Sequence, residues 1–207
     1  MFPVLIGMCG RSGSGKTYAA DMFARYGIVS LDLDAVYRTI TAAPGKSDCM
    51  AELENAFGSS VRCADGSLDR AHLSSVVFGD ETGGKLALLN KITHRHILAE
   101  ADRICEKLGD EGKRFVILDA PTLFESGADR KCACTFCVVS DDATRIARIC
   151  SRDGITEAKA KARLDAQMSD SELIDRCDFV VPNYDCAADT ERAVRYIVNS
   201  LRLEYGL

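Results

Sequence analysis

A glycine-rich segment with the pattern G-x4-G-K-S/T constrains this chain more than any other feature of its sequence. It reads Gly-Arg-Ser-Gly-Ser-Gly-Lys-Thr over residues 10–17. The apolar run before it, residues 4–9, predicts a strand, and residues 16–26 after it have the Ala, Met and Phe spacing of a helix. Strand, loop and helix in this order form a phosphate-binding loop, or P-loop. A chance glycine-rich turn would not need a Lys-Thr pair after its last glycine.

The residues of the P-loop have separate predicted roles in holding a nucleotide. Glycines let backbone N–H groups turn toward phosphate oxygens, and the N-terminus of the following helix adds partial positive charge. We expect Lys16 to reach the β- and γ-phosphates and the Thr17 hydroxyl to ligate Mg²⁺, so ATP and Mg²⁺ are the expected cofactors. The predicted phosphate contacts of the loop are Gly10, Ser12, Gly13, Ser14, Gly15, Lys16 and Thr17.

Further apolar runs predict the rest of the core. Residues 28–31, 115–118, 136–139 and 179–181 are short and continuously apolar, and helical segments separate them. Such runs indicate a parallel sheet covered by helices on both faces. We therefore expect an α/β fold of the P-loop NTPase type, similar to nucleoside and nucleotide kinases.

The chain is predicted to be one P-loop kinase domain with two added parts. The core should comprise about residues 1–46 and 114–207. Residues 47–113 are too long for a simple crossover and contain three helical patterns, so we expect a helical acceptor-binding insertion there. A lid is expected at about residues 145–168.

Two acids follow the second predicted strand. Asp32 and Asp34 lie at its carboxyl end, the edge where open α/β sheets bind ligands. One of them could accept the proton of an attacking hydroxyl, and the other could orient Mg²⁺ or the substrate. Alternation along an extended chain would point both side chains the same way. The alternative is that both acids only cap loops.

Arginines cluster in the predicted lid. Arg148 and Arg152 are four residues apart on one helix face, with Arg145 a turn earlier and Arg163 on the next helix. Such a group suits a lid that closes over ATP and neutralises charge on the transferring phosphoryl group, so Arg148 and Arg152 are also predicted nucleotide contacts. Without the P-loop, a solvated charged face would be the preferred interpretation.

Composition limits the partners and the location. A net charge of −5 over 207 residues provides no basic field for nucleic acid, which we do not expect as a partner. The N-terminal residues lack the basic start and the cleavage site of a signal peptide, and no apolar run approaches the roughly 18 residues of a membrane span. We expect a cytoplasmic protein without membrane contact, either a monomer or a weak homo-oligomer.

Two other patterns in the sequence do not predict functional sites. The ten cysteines are scattered and predict free thiols; those at 132, 134 and 137 could begin a zinc site, but no histidine lies nearby and Cys137 falls in a predicted strand. Residues 80–83 match the D-x-x-G of GTPases, but Thr93 stands where the guanine-reading motif needs Asp, and neither segment follows a strand.

Several motifs in one order extend the interpretation beyond the P-loop. After residues 10–17 come segments 32–38, 65–70, 89–94, 119–127, 148–154, 163–168 and 178–183. Over nearly the whole chain this series resembles the dephospho-coenzyme A kinase family. The resemblance implies transfer of the γ-phosphate of ATP to the ribose 3′-hydroxyl of dephospho-coenzyme A.

The resemblance also implies roles for individual residues. Asp34 would be the base toward the 3′-hydroxyl, Arg148 the lid arginine on the transferring phosphate, and Lys16 the third catalytic residue. Arg38, Asp65, Arg70 and His94 would contact the acceptor, Glu125 would lie near the phosphates, and Asp32 would join Thr17 at the metal.

Two alternatives remain open from the sequence. A kinase for another small acceptor, such as a nucleoside or a nucleotide, would share the P-loop and the lid. A P-loop protein that binds nucleotide and signals through a partner would bind ATP without acceptor-dependent turnover.

Overall fold

The structure, a computed structural model, describes residues 1–42, 47–80, 82–184 and 186–206. The chain divides into two compact units. The core unit comprises Met1–Leu31 and Leu108–Leu207, and the helical unit comprises Asp32–Lys107. In the described ranges, no helix has both the length and the apolarity of a bilayer span.

A five-stranded sheet organises the core unit, with the strand order β2-β3-β1-β4-β5. The pairings β1·β3, β1·β4 and β4·β5 are parallel, and in register Met8 of β1 lies beside Asp119 of β3 while Cys9 of β1 lies beside Cys137 of β4. These pairings confirm the predicted parallel α/β sheet. The strands are β1 (Val4–Cys9), β2 (Val29–Asp32), β3 (Phe115–Asp119), β4 (Cys134–Val139) and β5 (Phe179–Pro182).

Helices cover the sheet because apolar side chains line the strands on both faces. On one face Ile6, Met8 and Phe136 pack against Phe23 of the first helix, with the Phe23 and Phe136 rings 5.0 Å apart. Burial of each such side chain contributes about 1.5–3 kcal/mol. The helices of the core unit are α1 (Lys16–Ala24), α6 (Asp142–Asp153), α7 (Glu157–Asp165), α8 (Asp170–Arg176) and α9 (Ala187–Tyr205).

The helical unit has its own apolar cluster. Met50, Leu53 and Val61 are fully buried there, and Leu73 and Ile92 are among the other buried members of the cluster. Its helices are α2 (Leu33–Ile40), α3 (Asp48–Phe57), α4 (Arg70–Phe78) and most of α5 (Gly84–Asp110). Short 3-10 turns lie at Ser59–Val61 in this unit and at Ala128–Lys131 in the core unit.

Most predicted elements are present, and two differ for physical reasons. The pattern of residues 85–108 predicts a helix that is closed by Gly109, but α5 continues to Asp110. Gly109 has a different role, because a Cβ there would collide with the backbone of Met1, and Gly112 with φ +82° follows the end of the helix instead. The sequence does not predict helix α2 (Leu33–Ile40), because alternation is expected to extend the strand at residues 28–31 as far as Asp34.

Candidate active site

The P-loop connects β1 to α1 and is held from two sides by the core unit. Gly13 and Gly15 have φ of +77° and +92°, values that favour glycine. A Cβ on Gly15 would also collide with the Nδ2 of Asn183. The buried Asn183 donates from Nδ2 to the Ser14 carbonyl at 2.8 Å, and its own N–H donates to Val139 at 2.8 Å. Asn183 therefore ties the loop to the end of β4.

The start of α1 offers donors for an anion. No side-chain hydrogen bond within the described ranges caps this helix at Gly15, so its first backbone N–H groups face the loop as an anion-binding N-terminus. The Lys16 ammonium donates to the Gly10 carbonyl at 3.2 Å. Thr17, exposed in the first helical turn, presents a hydroxyl beside these donors. The predicted phosphate cradle thus has amides, a cation and a hydroxyl in one place.

Two lid arginines reach the loop. Arg148 donates from Nη1 to the carbonyls of Gly13 and Ser14 at 3.1 and 3.4 Å. Arg152, one turn later on α6, approaches the Ser12 hydroxyl at 3.5 Å. Both side chains therefore lie over the P-loop, as the spacing of four residues predicts. Both are exposed, so their guanidinium groups can turn toward a bound phosphate.

Arg145 has a structural role instead. Its side chain is 3% exposed and makes two hydrogen bonds to the Asp170 carboxylate, at 2.7 and 2.6 Å, and a third to Asp142 at 2.7 Å. A buried guanidinium needs such partners because desolvation of an unpaired charge costs several kcal/mol. Arg145 therefore joins α6 to the start of α8 and does not belong to the lid face on which it was grouped from the sequence.

Asp153 organises the end of the lid helix. It accepts from Arg152 at 2.7 and 3.0 Å and also pairs with Arg163 of α7. Hydrogen bonds from Arg152 and then from Arg163 hold the pKa of the Asp153 carboxyl well below its usual range. The remaining contact between α6 and α7 is apolar, through Ile149 and Leu164. The lid segment is thus a helix pair with a charged clamp at its turn.

Sequence reasoning assigned no site role to three residues that support the loop. Gln167 accepts from the Ser12 N–H at 2.9 Å, and Arg11 donates to the Leu164 carbonyl at 2.7 Å. Both bonds attach the loop to the end of α7, and Gln167 lies just beyond that helix, which ends at Asp165. Asn183 is the third residue that supports the loop. Its position directly after an apolar strand is the feature of the sequence that could have indicated this role.

A cavity of about 470 Å³ opens beside these groups. Its walls carry a cation, an amide and hydroxyls close to apolar surface, which suits a ligand with both a charged and an aromatic part. The lining residues are Gly15, Thr17, Tyr18, Arg148, Asn183, Tyr184 and Ala187.

The two candidate acids belong to the helical unit, and their local structure differs from the sequence expectation. Asp32 is the N-cap of α2, and its Oδ1 accepts from the N–H groups of Asp34 and Ala35 at 2.8 and 3.1 Å. Asp34 lies in the first helical turn, so the argument that alternation directs both side chains alike is wrong. Oδ2 of Asp32 accepts from Arg38 at 3.2 Å. The capping alternative thus describes Asp32.

The other predicted acceptor contacts of the helical unit have defined local surroundings. The Arg70 guanidinium lies 5.5 Å from the centre of the Tyr37 ring and donates to the Thr41 hydroxyl at 3.2 Å. Asp65 accepts from the N–H and hydroxyl of Ser67 in a tight turn, which lowers the pKa of its carboxyl. His94 lies within α5.

The remaining predicted site residue, Glu125, is exposed in the loop after β3. The acid at the end of that strand is Asp119, which lies in register with Met8, two residues before the P-loop. Asp119 is not among the site residues predicted from the sequence. No group of three or more His, Cys, Asp and Glu residues in the described part of the chain could hold a metal ion.

Comparisons with known proteins agree with this arrangement. Residues 4–189 match the family model described as dephospho-CoA kinase. A dephospho-CoA kinase of Corynebacterium glutamicum is 37% identical over 178 residues, covering 86% of this chain and 87% of that protein. The crystal structure of TT1252 from Thermus thermophilus superposes with a TM-score of 0.78 at 29% identity, covering 97% of this chain and 99% of that one. The dephospho-CoA kinase structure from Campylobacter jejuni shares the fold, with a TM-score of 0.66 at 22% identity and coverage of 97% and 98%. With the P-loop, the lid arginines and a match over nearly its whole length, this chain belongs to the dephospho-CoA kinase family.

Proposed function

We propose that this protein transfers the γ-phosphate of ATP to the ribose 3′-hydroxyl of dephospho-CoA, giving CoA and ADP. The chain belongs to this family, and the observation that carries the proposal is that the hydrogen-bond donors needed for phosphoryl transfer meet at one loop. In the core unit, Lys16 and Arg148 donate hydrogen bonds to backbone carbonyls of the P-loop, and Arg152 approaches the hydroxyl of Ser12 in the same loop.

The P-loop groups account for binding and for charge stabilisation. The N–H groups of residues 13–17 would bind the β- and γ-phosphates, and Lys16 would exchange its bond to the Gly10 carbonyl for phosphate oxygens. Arg148, already at the mouth of the loop, would donate to the oxygens on which charge develops. Arg152 would assist it, oriented by Asp153.

Asp34 is the proposed base. A carboxylate in the first turn of α2 is exposed to an incoming hydroxyl and can accept its proton. The capping bonds of Asp32 hold the backbone N–H of Asp34 and so fix the position of that turn. The proposed acceptor contacts are Arg38, Asp65, Arg70 and His94 in the helical unit and Glu125 in the core unit.

The donor set fits Mg²⁺ carried by ATP. The Thr17 hydroxyl and a carboxylate are the oxygen ligands that this ion prefers, and Asp119 in the core unit joins Asp32 as a candidate for the carboxylate. When bound, Mg²⁺ would neutralise charge on the β- and γ-phosphates.

The proposed organisation follows from these roles. Residues 47–113 would act as the acceptor-binding insertion, residues 145–168 as the lid, and the rest of the chain as the nucleotide-binding core. A cytoplasmic location and a monomeric or weakly associated state stay predictions.

The direct test measures ADP release from the purified protein with MgATP, with and without dephospho-CoA, and identifies the product by mass. We expect ADP formation that depends on the acceptor and a product with one added phosphate. An analogue that lacks the ribose 3′-hydroxyl is the matched control, and it should bind without being phosphorylated.

Other outcomes distinguish the alternatives. Turnover with a nucleoside or a nucleotide but not with dephospho-CoA would replace the proposed acceptor. ATP binding without turnover on any acceptor would instead support a signalling protein. Phosphorylation of the 3′-deoxy analogue would contradict the proposed site of transfer.

Substitution of Asp34 tests the proposed base. Asp34→Asn removes the proton acceptor with little change in size, so kcat should fall by about 10²- to 10⁴-fold while ATP affinity changes little. Steady-state kinetics with both substrates varied measure this. Asp32→Asn is the matched variant, because Asn keeps a capping oxygen for α2.

Mg²⁺ titration separates the two acids. If Asp32 ligates the metal, its variant needs more Mg²⁺ for half-maximal rate, whereas the loss in Asp34→Asn persists at saturating Mg²⁺. Near-normal kcat in Asp34→Asn would show that the base lies elsewhere.

A further inference from the structure

Three cysteines form a cluster beneath the P-loop and have no part in the proposed phosphoryl transfer. Cys9 and Cys137 are register partners on β1 and β4, so their side chains point to the same face of the sheet. Both residues are fully buried. The third, Cys177, places its Sγ 3.5 Å from the Sγ of Cys9.

Cys177 gives the cluster access to solvent. It lies at the carboxyl end of α8, where its N–H donates to the Leu173 carbonyl, and its side chain is only half-buried. The next residue, Asp178, accepts from the N–H and the hydroxyl of Thr135 at 2.7 and 2.9 Å. The backbone that carries Cys177 is therefore attached to β4, next to the other two thiols.

The hydrogen bonds of the cluster favour a thiolate at this accessible position. Thiol hydrogen bonds from Cys137 and Cys9 lower the pKa of Cys177. The hydrogen bond to Cys177, followed by burial, raises the pKa of Cys9 and of Cys137. Because the thiolate is the reactive form of cysteine, this direction of the pKa favours Cys177 as the nucleophile of the pair.

A metal site does not explain the cluster, because these three thiols are not among any ligand group able to hold an ion in the described ranges. We propose that Cys9 and Cys177 form a reversible disulfide, with a hydroperoxide as oxidant, that weakens nucleotide binding by the P-loop. The proposal rests on the proposed function of that loop.

The step balances with one hydroperoxide. The Cys177 thiolate attacks the terminal peroxide oxygen, the O–O bond breaks, and Cys177 becomes a sulfenic acid. The alkoxide or hydroxide that leaves takes up the proton that the Cys177 thiol released on ionising, so it departs as alcohol or water. The Cys9 sulfur then attacks the sulfenic sulfur, the S–S bond forms, and the hydroxyl leaves with the Cys9 proton as water. The two cysteines lose two electrons, which the hydroperoxide gains.

The position of Cys9 connects this chemistry to the nucleotide site. A disulfide joins sulfurs at about 2.05 Å, so the end of β1 and the segment at Cys177 must approach each other. Cys9 directly precedes Gly10, whose carbonyl accepts from Lys16 at 3.2 Å. The backbone of Gly10 lies close to that of Val138, since a Cβ added to Gly10 would be 2.7 Å from the Val138 carbonyl oxygen, so a shift of Cys9 has little space in that direction. The movement should therefore displace the start of the loop and Lys16.

The test treats native full-length protein with hydrogen peroxide, blocks the remaining thiols, and maps disulfides by peptide mass. In parallel, ATP affinity is measured by calorimetry before oxidation, after oxidation, and after reduction with dithiothreitol. We expect a Cys9–Cys177 linked peptide and a dissociation constant at least about ten-fold higher, equivalent to 1.4 kcal/mol, with recovery on reduction.

Variants isolate the pair. Cys177→Ser should keep its ATP affinity after peroxide, and Cys9→Ala provides the same test at a buried position that accepts a small apolar side chain. Cys186→Ser, at an exposed cysteine outside the cluster, should respond to peroxide like the wild type.

Three results would overturn the proposal. The first is that no linked peptide forms, and the second is a linked peptide with unchanged ATP affinity. The third is that, after peroxide treatment, Cys177→Ser and Cys9→Ala lose as much ATP affinity as the wild type. Reduced wild-type protein that does not bind ATP would overturn the proposed function and this proposal with it.

Discussion

At the scale of single residues, the P-loop depends on three glycines, Gly10, Gly13 and Gly15, whose neighbours leave no room for a side chain. Gly15 combines a φ of +92° with direct contact to Asn183, the residue that holds the Ser14 carbonyl. A methyl group there would have to displace the Asn183 amide as well as accept an unfavourable backbone conformation. The steric collision and the backbone strain would therefore both distort the loop at Gly15.

Gly15→Ala should therefore abolish most ATP binding. The backbone conformation alone costs about 1–2 kcal/mol for a residue with a Cβ, and the collision with Asn183 adds to it, so we expect the ATP affinity to fall by more than ten-fold, as calorimetry can measure. Gly27→Ala is the matched control, because Gly27 has a φ of +77° but nothing within 4 Å of its added Cβ. That variant should lose stability and keep its ATP affinity; equal affinity loss in both would contradict the role of Asn183.

At the scale of elements, a buried charge connects the lid helix α6 to α8 within the core unit. The Arg145 side chain has almost no exposure, and its two bonds to Asp170 fix α6 against the first turn of α8. Arg148 lies on the same helix, so its reach to Gly13 depends on this attachment. A structural ion pair thus positions a proposed catalytic arginine.

Removal of Asp170 should destabilise the protein strongly. Asp170→Ala leaves the Arg145 guanidinium buried without its main partner, a change that typically costs about 3–5 kcal/mol in the free energy of unfolding. Asp142→Ala removes the other partner, whose side chain is 63% exposed, and should cost less than about 1 kcal/mol. Urea denaturation of both variants measures the difference, and similar losses would show that the two carboxylates share the charge equally.

The clamp at Asp153 makes a prediction about pH. Its folded pKa is lowered, so its contribution to lid order is present above the unfolded value of about 3.9 and is lost only as the pH falls through the folded value. Asp153→Asn should therefore increase the rate of tryptic cleavage within α6 and α7 by roughly two- to five-fold. The ratio of the variant's cleavage rate to that of the wild type should be the same at pH 5.5 and at pH 8, as a protease that is active at both pH values can measure. Asp165→Asn, at an exposed pair with Lys161, is the control. A ratio that disappears at pH 5.5 would mean that another group provides the clamp.

At the scale of the whole molecule, nucleotide binding should stabilise the chain against unfolding. A ligand that binds only the folded state at about 100 times its dissociation constant adds about 2.7 kcal/mol, which corresponds to a rise of roughly 5–10 °C in Tm for a protein of this size. Lys16→Met should remove most of this rise because the ammonium would be a phosphate contact, whereas Lys107→Met, at the exposed end of α5, should retain it. Thermal unfolding with and without MgATP gives the result, and a full rise in Lys16→Met would contradict the proposed role of Lys16.

Local signals in the sequence were sufficient for the fold and for the nucleotide-binding loop. Continuous apolar runs specify buried parallel strands, and the G-x4-G-K-S/T pattern carries its own geometry, because glycine alone adopts the required φ values. The same reasoning failed at Asp32 and Asp34, where a single capping side chain begins a helix that short apolar spacing did not reveal.

What the sequence by itself determined was therefore the sheet, the P-loop, the family and the lid arginines at positions 148 and 152. Only the tertiary structure decided which arginine is buried, that Asn183 supports Ser14, and that Cys9, Cys137 and Cys177 meet. The physical reason is distance along the chain. Asn183 and Ser14 are 169 residues apart and Cys9 and Cys177 are 168 apart, so their contacts arise from sheet order and helix packing, which no local pattern encodes.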